Sequence, residues 1–226
     1  HGEVVESVAG LAQGLPEGAI PTCRPAAHGD GSYPRVRLEA RKTEQAHLSL
    51  CLPGLPTRHP DRYALDMMNG VLGDGMSSRL FVEVREKRGL AYEVHSSVTH
   101  FGDTGCIVVY CGVEPKKAKE TMMTVLREME RIKEGVPEEE LAKAKEYAKG
   151  RLLLRMEDTR AVAGWAGAQE VLYREVIPVD EVVERVEAVT TDDVLRVAVE
   201  YLSPEKLKLA VVGPYRSDRQ FQRLLK

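Results

Sequence analysis

The chain has 226 residues, 43% hydrophobic and 30% charged, the composition of an ordinary soluble globular protein with room for one large domain or a domain with an appended arm. A formal charge of −3 gives no electrostatic case for nucleic acid or an anionic membrane. No apolar run approaches the ~20 residues that a bilayer span needs.

The chain starts at His1 rather than Met, so it reads as a processed product or a piece of a longer polypeptide. Its first residues are helix-like and acidic, not basic then apolar, and no secretory leader is expected. Val4, Val5, Val8 and Leu11 recur at helical spacing, which predicts an amphipathic helix within residues 1–15, left from a preceding domain. Prolines and glycines crowd residues 16–34, the mark of a semi-extended linker.

A compact α+β pattern occupies 35–215. Strands are expected at 36–40 and 46–52, then a helix over 61–71 with Tyr63, Ala64, Met67, Met68 and Val71 facing inward. A second helix is expected from about 78 to 88. Residues 91–99 alternate, with Tyr92, Val94, Ser96 and Val98 on one face, and a glycine-containing turn joins them to the apolar run 106–113. Pro115 opens a helix whose inward positions are Ala118, Met122, Val125, Leu126, Met129 and Ile132. Further helices are expected near 137–156, 159–174, 179–187 and 191–202, the last starting at Thr191. A strand at 207–212 closes the domain, and 216–226 is read as a tail. The chain shows no internal repeat.

Four cysteines, Cys23, Cys51, Cys106 and Cys111, form no CxxC spacing; the last three lie in apolar strand-like runs. They read as buried free thiols in a reducing compartment, a bacterial cytoplasm being the simplest location.

Several short patterns have plain explanations. Gly73-Asp74-Gly75 lacks the Lys-Ser/Thr ending of a phosphate loop and follows no strand, so it is a flexible turn. Asp103-Thr104-Gly105 matches the aspartic-protease triplet, but that chemistry needs two such carboxylates and no second copy exists. Glu138, Glu139 and Glu140 suit the positive end of a helix dipole. Met122 and Met123 are packing residues. Trp165 stands among Ala163, Gly164, Ala166, Gly167 and Ala168, on a helix able to approach a neighbour closely.

The most informative stretch is 72–92, Leu-Gly-Asp-Gly-Met-Ser-Ser-Arg-Leu-Phe-Val-Glu-Val-Arg-Glu-Lys-Arg-Gly-Leu-Ala-Tyr. A glycine-broken turn enters a helix that stops at Gly89 and delivers Tyr92 onto a strand. Arg85 and Tyr92 can therefore project to one side of a single junction, a guanidinium fork beside a phenol. The stretch resembles the signature of the second, non-zinc half of the insulinase/pitrilysin family of zinc peptidases, which includes the processing peptidases. The passages 43–47, 110–115 and 207–214 are similar to that half as well, and 1–15 looks like the last helix of the family's first half.

The resemblance implies an α+β fold, a mostly antiparallel sheet of about six strands with helices on one face. It implies that Arg85 and Tyr92 reach a zinc site on the other half, where they bind the substrate carbonyl and stabilise the tetrahedral intermediate. It also implies that the cofactor is zinc in the complete enzyme, with none bound by this chain. None of the six histidines (His1, His28, His47, His59, His95, His100) begins an H-x-x-E-H or H-E-x-x-H pattern. The implied partners are a zinc-bearing N-terminal half or homologous subunit and a peptide substrate, with a homodimer possible; neither nucleic acid nor membrane is expected. This chain alone should be inactive. The alternative is a non-catalytic binding or scaffold subunit of a processing-peptidase-like assembly.

Overall fold

The structure, a computed structural model, describes residues 1–16, 18, 25–26 and 33–225; Cys23, His28 and most of the expected linker lie outside the described residues. Apolar alternation builds the sheet. In β2 (Ala46–Gly54), Ala46, Leu48, Leu50 and Leu52 are buried, while His47, Ser49 and Cys51 between them stay half-buried on the other face. The same period runs through β4 (Gly105–Val113), which buries Ile107, Val109, Cys111 and Val113, and through β5 (Lys208–Gly213), which buries Leu209 and Val211. Each fully buried Leu or Val contributes roughly 1.5–3 kcal/mol, an upper estimate because unfolded chains already bury part of that surface.

With β1 (Val36–Ala40) and β3 (Ala91–His100), the sheet has the order β1-β5-β2-β4-β3. β1 lies parallel to β5 and the other pairs are antiparallel. Among the described residues it has five strands where about six were expected.

Helices cover the apolar face. α2 (Arg62–Leu72), α3 (Ala118–Arg131) and α7 (Thr191–Tyr201) pack on it, and α4 (Glu138–Met156) and α6 (Val179–Glu187) pack behind α2. Pro115 opens a short 3-10 turn before α3. Met122, Val125, Met129 and Ile132 are then buried at the expected helical spacing, with Leu126 half-buried against the core. Met123 is exposed, not packed as the sequence suggested. α7 is capped one residue earlier than Thr191: the Thr190 hydroxyl accepts from the Asp193 N–H (3.1 Å), and Asp193 in turn accepts from the Thr190 N–H (3.0 Å).

α1 (Gly2–Ala12) and α5 (Thr159–Tyr173) bury no residue. Trp165, on α5, is half-buried and donates to the Ile177 carbonyl at 3.3 Å. The segment after 215 is more than a tail, because α8 (Arg219–Leu224) docks with Phe221 wholly buried. Of the described thiols, only Cys111 is buried, and burial pushes it up to about 12; Cys51 and Cys106 face the half-covered side. No described helix is long and apolar enough to cross a membrane.

Candidate active site

The site is built on a turn that the rest of the fold holds still. α2 ends with the Gly73 and Asp74 N–H groups both donating to the Asn69 carbonyl, at 2.9 and 3.1 Å. The chain then runs against β3, where the Ser96 N–H donates to the Gly73 carbonyl at 3.0 Å. A Cβ on residue 73 would lie 2.5 Å from Ser96 Oγ and 2.7 Å from Ser96 N, so this close approach requires glycine. Gly75 has φ +109°, a conformation that likewise favours glycine. Both Asp74 carboxylate oxygens accept from Arg151 Nη1, on α4, at 2.9 and 3.0 Å, and Arg151 lies 5.3 Å over the Tyr147 ring. The turn read from sequence as flexible is therefore pinned from two sides.

The expected regular helix over 78–88 is also different. After one short helical stretch, Phe81–Glu86 forms a π turn, with the Lys87 N–H donating to the Val82 carbonyl at 2.9 Å. Such wide turns are rare inside helices and recur at functional sites. Gly89 at φ +57° then closes the helix: its N–H donates to the Arg85 carbonyl, and the Leu90 N–H to the Val84 carbonyl. Leu90 and Val84 are buried under this closure, and Lys117 Nζ donates to the Gly89 carbonyl at 3.0 Å. Arg85 is left exposed, its guanidinium 5.1 Å from the Phe81 ring. It has no hydrogen bond or ion pair among the described residues.

Tyr92 owes its position to a second irregularity. Ala91 pairs with Val113 and Glu93 with Gly112, so Tyr92 is the extra residue of a β-bulge. The bulge breaks the alternation expected for this strand. Val94 and Ser96 are buried and Val98 half-buried as anticipated, but Tyr92 points out with 72% of its surface exposed. Its hydroxyl has no hydrogen-bond partner among the described residues. The π turn packs against β3, so the arginine and the tyrosine flank one compact junction.

Sequence reasoning missed a polar cluster that spans β2, β4 and β3. Tyr110 shares a 2.7 Å hydrogen bond with His47 Nδ1, and its ring lies 5.2 Å from that of His95, which is itself 3.4 Å from Glu93. Burial, and then the nearby Glu93 charge, raise the Tyr110 phenol above its ordinary range. Behind the π turn, a hydrogen bond from Lys87 holds Glu83 below the usual carboxylate range. Asn69, the sole asparagine, was visible in the sequence, but its role in tying the signature turn to β3 depends on contacts 27 residues away.

A metal has no obvious home in the described residues, where no three His, Cys, Asp or Glu side chains gather to hold one. The described histidines are dispersed. His100 sits between the Leu55 carbonyl (2.7 Å) and Asp66 (3.0 Å) with its side chain 9% exposed. His59 accepts from the Asp61 N–H. Asp103 accepts from the Ala26 N–H at 2.6 Å, in keeping with a structural turn residue.

The peptidase M16 inactive domain matches residues 1–147, and the chain belongs to that family of zinc peptidases. An uncharacterized zinc protease of Streptomyces coelicolor is 41% identical over 191 residues, covering 84% of this chain and 41% of that protein. The beta subunit of the mitochondrial-processing peptidase of Bos taurus is 27% identical over 215 residues, covering 91% of this chain and 42% of the subunit. Among solved structures, the peptidase M16 inactive domain from Pseudomonas fluorescens shares the fold, with a TM-score of 0.82 at 24% identity, covering 96% of this chain and 52% of that one. The chain thus spans about half the length of the proteins it matches, or less.

Proposed function

We propose that this chain is the substrate-gripping half of a zinc metalloendopeptidase that hydrolyses peptide bonds in extended peptides. In this reading Arg85 and Tyr92 bind the substrate carbonyl and stabilise the tetrahedral intermediate. The zinc would be carried by an N-terminal half or a homologous subunit outside this chain. The observation that carries the proposal is the junction itself: two exposed donors, free of partners among the described residues, set on a π turn and a β-bulge.

As water adds to a peptide carbonyl, the C=O π electrons move onto oxygen. Tyr92 has one O–H to donate to that oxygen, and Arg85 a fixed positive fork. Neither side chain has a hydrogen bond among the described residues to break first, so little reorganisation opposes the interaction. Supplied by the other half, zinc would act on the same carbonyl or on the attacking water.

The experiment compares the complete polypeptide with residues 1–226 alone on an unfolded peptide. Peptide cleavage by the complete, zinc-loaded protein and none by the isolated chain is the expected result. A zinc-loaded complete protein that cleaves no unfolded peptide would favour the scaffold reading, and cleavage by the isolated chain would contradict the division of labour.

A further inference from the structure

A cavity of about 930 Å³ lies where the start of α2, the end of β3, α5 and α6 meet; neither Arg85 nor Tyr92 lines it. Its volume is in the range that takes a small organic ligand or a short peptide end. The walls mix apolar and polar groups, with Tyr63, Trp165, Leu172 and Ile177 supplying apolar surface.

The polar groups are unevenly satisfied. Asp61 accepts two bonds from Arg196, at 2.7 and 2.8 Å, and Asp193 accepts from Arg196 and from Thr190. Asp66, just behind the wall, takes the His100 contact, and Glu175 lies 3.5 Å from Arg58. Tyr173 donates to Thr57, and the Trp165 N–H is used by Ile177. The acceptors are thus engaged. Two guanidiniums are less fully used: Arg62 Nε is buried with no hydrogen-bond partner, its guanidinium held only by a loose 3.8 Å ion pair with Asp66 and by the Tyr63 ring 5.2 Å away. Arg155, from the end of α4, also lines the cavity and has no ion pair among the described residues. A buried guanidinium N–H without an acceptor is costly, and planar guanidinium forks select carboxylates.

We propose that this cavity binds a carboxylate attached to an aromatic or aliphatic body, the acid meeting Arg62 and Arg155 and the body covering Trp165. The C-terminal end of a peptide and a free small acid share this chemistry. The proposal stands independently of the hydrolytic role of Arg85 and Tyr92.

Calorimetric titration of the complete polypeptide tests it, with N-acetylphenylalanine, its amide and a nonapeptide ending in phenylalanine as probes. The acid is expected to bind saturably and the amide about tenfold more weakly, since only the acid offers two charged acceptors. Arg155→Met should weaken the acid about tenfold and leave the amide unchanged. Being exposed and unpaired, that substitution should leave the fold intact. Binding of the nonapeptide at least as tight as that of the small acid would identify a peptide end as the ligand; binding of the small acid alone would identify a free acid. No saturable binding at millimolar acid, equal binding of acid and amide, or an unchanged affinity in Arg155→Met would each overturn the proposal.

Discussion

Tyr92→Phe in the complete enzyme is expected to lower kcat on the order of 10²-fold, the usual scale for losing one donor to a developing oxyanion. The ring remains and only the O–H is removed. Tyr92 is 72% exposed and its hydroxyl holds nothing else among the described residues, so the substitution should leave the fold's stability almost untouched. KM should change far less than kcat, because the hydrogen bond strengthens as charge develops on the oxygen. Steady-state kinetics beside a thermal melt separates the two effects. A kcat equal to that of the parent enzyme would remove Tyr92 from the chemistry.

The largest stability effect is expected at Phe221. Its side chain is wholly buried, in an edge-to-face contact with Tyr215 at 5.0 Å between ring centroids. α8 has only six residues and could not persist without its anchor. Tyr215 also donates to the Pro115 carbonyl at 2.9 Å, at the turn that starts α3, so the aromatic pair clamps the end of the chain to the core. Phe221→Ala should cost about 3–5 kcal/mol through lost transfer energy and the cavity left behind. That corresponds to a fall in Tm on the order of 10 °C for a domain of this size. A melt within a degree or two of the parent would mean that α8 is not docked in solution.

The fold was largely legible because its strands and helices bury one face each. The alternation in 46–52 and the three-to-four spacing from Ala118 to Ile132 follow directly from that constraint. Phe221 was missed although Leu224 and Leu225 follow it at helical spacing, because a six-residue helix is too short for its period to stand out. The pairing of β1 with β5 joins Val36 to Leu209, a contact that no local pattern encodes.

The same distinction applies to the site. Arg85, Tyr92 and the glycines around them stand out in the sequence, and the structure places both side chains on one exposed junction. The β-bulge at Tyr92 has no signature, because one inserted residue leaves the composition of the strand unchanged while reversing which side chains face inward. Gly89 was legible as the helix stop, and its φ of +57° fits that job, whereas the close approach that Gly73 serves depends on Ser96, far away in the sequence.

The most direct test of the central claim, that Arg85 and Tyr92 serve one substrate oxygen, is a double-mutant cycle on kcat/KM in the complete enzyme. Arg85→Met, Tyr92→Phe and the double variant are compared with the parent on one unfolded peptide. Residues acting as a unit are strongly non-additive. The double variant should therefore lose little more than the worse of the two single variants. Losses that multiply in full would place the two side chains in separate tasks, and parental activity in both single variants would contradict the account outright.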